Sequence, residues 1–161
     1  MEPEVYFVKY AYPCAHILCT VRGDVSEEDF DKMRDAAVND KVMDREYLEK
    51  VFFRAFDRIK KIAEEMGKDK WDIEVIREYF VGRHNDVLMD SDYPESFKEM
   101  CKTHQGKVVS VEDNGEVIVR YNSEQGGEKK RKIRKDYFPD LKVGDKVMIH
   151  WRYAVERIEK V

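Results

Sequence analysis

Apolar and polar positions follow two different rhythms along this chain. At the start, Val5-Tyr-Phe-Val-Lys-Tyr-Ala-Tyr12 is rich in aromatic and β-branched residues and ends at Pro13, and Ile17-Leu-Cys-Thr-Val21 follows, closed by Arg22-Gly23-Asp24. These signals predict a β-hairpin turning at Pro13-Cys14. The rhythm then becomes helical. Ser26 is a good N-cap, and Phe30, Met33 and Ala37 follow at helical spacing. Asp44 opens a longer helix whose stripe contains Leu48, Phe52, Ala55, Ile59, Ile62 and Met66, with Gly67 as its stop. A third helix is predicted over 72–81, with Ile73, Ile76 and Phe80 on one face. Residues 82–94 have no period and several turn formers, so they read as a linker, with a short helix over 95–100 after it.

From Gly106 the period is 2. Lys107-Val-Val-Ser-Val-Glu112 and Glu116-Val-Ile-Val-Arg-Tyr121 flank Asp113-Asn-Gly115, a strong hairpin signal. Lys129 to Tyr137, Lys146 to Trp151 and Ala154 to Ile158 supply three more strands, divided by Gly126-Gly127 and Val143-Gly-Asp145. The expected fold is α+β. An N-terminal β-hairpin plus three-helix module covers 1–97, and a small five-stranded β-barrel of OB or SH3-like type covers 98–161. Strand alternation puts Val108, Val117, Val119, Val147 and Ile149 in the barrel core.

Composition narrows the class. With 161 residues, 40% charged and 42% hydrophobic, the chain is too polar for a membrane protein and too aromatic for a disordered one. The first residues lack the basic and apolar regions of a signal peptide, so a soluble cytoplasmic protein is expected. Net charge is −4 but unevenly spread. Residues 1–100 carry 16 Lys/Arg against 24 Asp/Glu, and residues 101–161 carry 14 against 10. Such asymmetry points to modules with different surfaces. Lys129-Lys-Arg-Lys-Ile-Arg-Lys135 concentrates six of these cations. In a barrel, Lys130, Lys132 and Arg134 share one strand face and could track phosphates, with Tyr121 and Trp151 as stacking surfaces for a nucleic acid. Otherwise the strand is a solvated edge guarded against aggregation.

The three cysteines, Cys14, Cys19 and Cys101, are an odd set that suits free thiols better than a disulfide framework. Cys14, His16 and Cys19 group soft and borderline metal donors within six residues, at a spacing that matches no standard zinc motif. Cys101 and His104 would share a face if the short helix ran through both. There is no Gly-rich nucleotide loop, no Ser-His-Asp arrangement and no carboxylate pair that would single out a catalyst.

Cys101-Lys-Thr-His-Gln-Gly-Lys-Val108, Pro139-Asp-Leu-Lys-Val-Gly-Asp-Lys-Val-Met-Ile-His150 and Ala154-Val-Glu-Arg-Ile158 together resemble the HypC/HupF family of NiFe-hydrogenase assembly chaperones. Family members begin with a Cys followed by Pro-Gly-Lys-Val, whereas Cys101 is internal and Gln105 stands in place of the proline. The resemblance covers about the last 60 residues and none of 1–97. It implies a small barrel that acts by protein binding, with a HypD-type iron–sulfur scaffold and a hydrogenase large-subunit precursor as partners. It also implies iron held transiently, through Cys101 with His150. A thiolate is the soft donor that low-spin iron prefers, and neutral imidazole suits iron as well. For this role Cys101 and His150 are expected close together at one rim of the barrel, with Cys101 at least partly exposed.

Overall fold

The computed structural model describes residues 1–23, 25–83, 85, 94–123 and 126–158, and over 16–22 the backbone alone. The chain divides into two compact units, Met1–His84 and Asn85–Val161. The sequence reading put the division at 97/98, so the short helix before the barrel belongs to the second unit. Most of the expected linker, 84 and 86–93, lies outside the described residues.

The first unit is helical throughout its described part. It comprises α1 (Pro3–Arg22), α2 (Glu27–Asn39), α3 (Arg45–Val51), α4 (Phe53–Met66) and α5 (Ile73–Arg77), the last continued by a π-helical segment over Glu78–Arg83. The N-terminal β-hairpin expected from the sequence is therefore replaced by α1. Val5, Phe7, Val8, Tyr10, Tyr12 and Ala15 are all buried, and α1 packs against α2 and α5. A helix enclosed in this way needs no polar face, so its sequence carries no helical period and its β-favouring residues mislead. Pro13 sits inside α1.

Phe7 is the hub of this core. Its ring meets Phe52, Phe56, Trp71 and Phe80 at centroid distances of 5.2, 4.9, 5.9 and 5.6 Å. The contact with Phe52 explains a second difference. The helix expected over 44–66 breaks at Phe52, whose φ of −103° and ψ of 40° leave the helical region. The flanking bonds Phe52 N–H to Leu48 O and Phe56 N–H to Phe52 O persist, so the break is a kink that turns Phe52 toward Phe7. The caps behave as the sequence indicates. Ser26 and Asp44 accept from Asp29 and Tyr47 backbone N–H groups, and Gly67 ends α4 with a positive φ. Lys9, 2% exposed, reaches the far end of α2, donating to Ala37 O at 2.6 Å and pairing with Asp40 at 2.9 Å. A cation at a helix C-terminus complements the exposed carbonyls there.

The second unit begins with α6 (Glu95–Cys101) and continues as β1 (His104–Val111), β2 (Glu116–Asn122), β3 (Glu128–Arg134), β4 (Lys146–His150) and β5 (Tyr153–Ile158). The strands form a closed barrel in the order β1-β2-β3-β5-β4, with β3 and β5 meeting in parallel at Arg134 and Tyr153. All five positions assigned to the core, Val108, Val117, Val119, Val147 and Ile149, are fully buried, together with Tyr121, Ile133, Leu141 and Ala154. No helix among the described residues is long and apolar enough to cross a membrane.

Gly106 shows how tightly the barrel closes. A Cβ there would lie 2.3 Å from Val119 Cγ1 and 2.9 Å from Arg120 O. Gly106→Ala should therefore force β1 and β2 apart and cost about 1–3 kcal/mol, as other overpacked cores do. Thermal unfolding followed by near-UV circular dichroism checks this, and an unchanged midpoint would show that the wall yields without cost.

Candidate functional site

The rim of the barrel beneath α6 is built by a few directed bonds. Trp151 follows β4 with a φ of 55°, and in this turn its N–H donates to Met100 O at 3.0 Å. Its ring also meets Phe97 edge-on at 5.2 Å. Asn85 braces the chain just past α6, accepting from Thr103 N at 3.0 Å and donating to Thr103 O at 3.1 Å. The Trp151–Met100 bond joins two segments whose next residues are His150 and Cys101. The Cys101 sulfur and a His150 ring nitrogen consequently lie within 4.8 Å.

The pairing expected of Cys101 and His150 is present, but the expected exposure of Cys101 is not. Both residues are fully buried. Cys101 is the last residue of α6, and the bond to Trp151 seats that end of the helix on the rim. A thiol enclosed in this way is shielded from reagents.

His104 does not join the pair in the way the sequence suggested. The helix ends at Cys101, so the two residues do not share a helical face, and His104 is the first residue of β1. Its Nε2 lies 3.0 Å from Glu99 O and its ring 4.7 Å from Tyr121. A carbonyl only accepts, so this bond puts the proton on Nε2. Cys14 is half-buried within α1, where the turn of a hairpin was expected. The side chains of His16 and Cys19 fall outside the described residues.

Two residues that the sequence did not single out hold the rim together. Arg131 donates to Trp151 O at 2.9 Å, to Tyr121 Oη at 2.9 Å and to Glu99 O at 3.4 Å, and its guanidinium lies 4.8 Å from the Tyr121 ring centroid. It thereby ties α6, the β4–β5 turn and β2 to β3. Glu99 is 7% exposed, and its carboxylate lies 3.9 Å from His104 Nε2 and 3.8 Å from Lys129 Nζ. The only sequence signal was alternation, which turns Arg131 away from the face of Lys130 and Lys132.

The basic strand β3 divides accordingly. Lys130 and Lys132 are exposed. Arg134 is engaged, pairing with Asp136 at 2.9 Å and lying over the Tyr153 ring at 5.8 Å. Neither proposed stacking residue shares the face of the lysines. Tyr121 belongs to the barrel core and Trp151 packs on α6. Strand alternation sends Tyr121 inward opposite the outward Arg120, so it offers no platform for a base. No family model, curated protein or solved structure matches the chain.

Enclosure of Cys101 has a direct chemical readout. In the native chain Cys101 should react with a water-soluble thiol reagent at least ~100-fold more slowly than free cysteine, and at the full rate once unfolded. Peptide mass spectrometry of timed alkylation assigns the rate to Cys101. A native rate equal to the unfolded rate would show that the rim stands open.

Proposed function

We propose that the second unit is a HypC-like adaptor barrel that works by binding partner proteins, and that Cys101 and His150 are the donor pair with which it would take up iron as cargo. The reading is supported chiefly by the approach of Cys101 and His150 to within 4.8 Å, from opposite ends of the barrel sequence. With metal–donor bonds of about 2.0–2.3 Å, two ligands of one ion stand roughly 4 Å apart, so a small adjustment suffices. One thiolate and one imidazole suit iron, and two protein ligands leave open positions from which the cargo can be passed on. In this reading Cys101 supplies the soft anionic donor and His150 the neutral one, while His104 stays with the Glu99 carbonyl.

Burial of Cys101 adds a condition: iron enters only when the start of α6 lifts while the Trp151–Met100 bond keeps Cys101, the last residue of the helix, beside His150. The helix suits such a step. It has seven residues and no side-chain N-cap bond, and isolated helices of that length are marginal in water. A docking partner that takes α6 would open the pair and couple loading to partner binding.

The test is anaerobic Fe(II) retention by the full chain, with and without a HypD-type scaffold, for the wild type, Cys101→Ala and His150→Gln. The expected result is retention and scaffold binding in the wild type, with retention lost in both variants while circular dichroism stays unchanged. Equal iron retention and equal scaffold binding by Cys101→Ala would overturn the proposal.

A further inference from the structure

We infer that the outer wall of the barrel carries a binding site for the phosphate backbone of double-helical nucleic acid, centred on a row of four cations that crosses four neighbouring strands. Strand register creates the row. Lys146 on β4 stands opposite Lys107 on β1, Lys107 opposite Arg120 on β2, and Arg120 opposite Lys130 on β3. All four are exposed. The row runs across the strands, so it cannot be seen in any one segment of sequence. It is separate from the Cys101–His150 pair and does not depend on the adaptor reading.

Three properties of the row point to a ligand. The first is its electrostatic cost. Like charges directly opposite on adjacent strands repel, and a fold gains nothing from placing three such pairs in succession. Among the described residues, Lys107, Lys130 and Lys146 have no carboxylate within 4.0 Å, and neither does Lys132 beside them. The nearest acidic group is Glu128, which stands 3.8 Å from Arg120 in an exposed pair of the weak kind that a phosphate can displace. The second is shape. Lys107, Arg120 and Lys146 line a cleft of about 240 Å³ together with Gln105, Gly106, Tyr121, Asn122 and Glu128. The amides of Gln105 and Asn122 add neutral hydrogen-bond donors that suit phosphate or sugar oxygens. The third is spacing. Neighbouring strands lie about 4.8 Å apart, so the row spans roughly 14 Å. Phosphates along one strand of a duplex advance about 3.4 Å per nucleotide along the helix axis, and their path around it is longer, so about three lie within this span and within reach of four flexible cations.

The choice of a duplex over a single strand follows from what the face lacks. Single-strand binders add aromatic side chains on which unstacked bases rest. Here Tyr121 borders the cleft but is 5% exposed and belongs to the barrel core, so it offers no open ring face, and Trp151 packs on α6. A wall of Lys, Arg and amide groups reads the backbone and leaves the bases stacked.

The experiment is fluorescence anisotropy on the full chain with a 20-base-pair duplex, a 20-nucleotide single strand and poly-glutamate of similar length, across a salt series. Four contacts predict a slope of log K against log salt of about −3 to −4 for the duplex. Lys107→Gln combined with Lys130→Gln should reduce that slope by about 2 and weaken binding on the order of a hundredfold at about 0.1 M salt. The same variant should keep or raise its thermal midpoint, because it relieves repulsion. Weaker binding with an intact midpoint separates ligand contact from folding. No duplex binding at low salt, tighter binding of the single strand, equal binding of poly-glutamate, or an unchanged slope in the variant would each overturn the inference.

Discussion

Closure of the second unit's sheet on itself is the constraint from which its chemistry follows. Five short strands can enclose only a thin core, and Val108, Val117, Val119, Val147 and Ile149 fill it with hardly any slack at Gly106. With inward positions committed to apolar side chains, every alternate residue must face out or stand at a rim. The barrel therefore decides two things at once. It lines up Lys146, Lys107, Arg120 and Lys130 across its wall, and it returns the end of β4 to the level at which β1 begins.

The rim and the wall use this geometry in opposite ways. At the rim, Cys101 and His150 are enclosed, and Arg131 serves the Glu99 and Trp151 carbonyls and the Tyr121 hydroxyl together, while the buried Glu99 carboxylate and Trp151 Nε1 have no hydrogen-bond partner among the described residues. Desolvation makes such bonds strong and makes any loss expensive. Cys101 and His150 are thus held in a fixed arrangement away from solvent. On the wall the cations are hydrated and cost little individually, but their alignment gives a concentrated positive field that acts at a distance. One small scaffold in this way holds an enclosed Cys–His pair at its rim and an open cationic surface on its wall.

The first unit is organised around the opposite feature, a helix whose side chains over 4–13 are all buried. Phe7 touches aromatic rings from α4, from the kink at Phe52, and from Trp71 and Phe80. Such an assembly hides its own signature. The usual stripe arises because one side of a helix meets water, and α1 has little water to meet. Helices α2 and α4 retain a clear stripe, and the caps of α2, α3 and α4 at Ser26, Asp44 and Gly67 were legible because capping is local chemistry.

What the sequence determined by itself was local or strictly periodic. The barrel strands, the Asn114-Gly115 turn, the inward valines and the helix caps depend on residues a few positions apart, and each holds in the structure. The near approach of Cys101 and His150 was also legible, because strand order and chain length leave little freedom in a barrel this small. Tertiary structure alone decided the rest. It made α1 a helix, since burial of the side chains over 4–13 overrode the β preference of its residues. It enclosed Cys101, since a backbone bond from Trp151 to Met100 seats α6 on the rim. It also assembled the row of four cations, since register between strands, and not order along the chain, sets which side chains stand side by side.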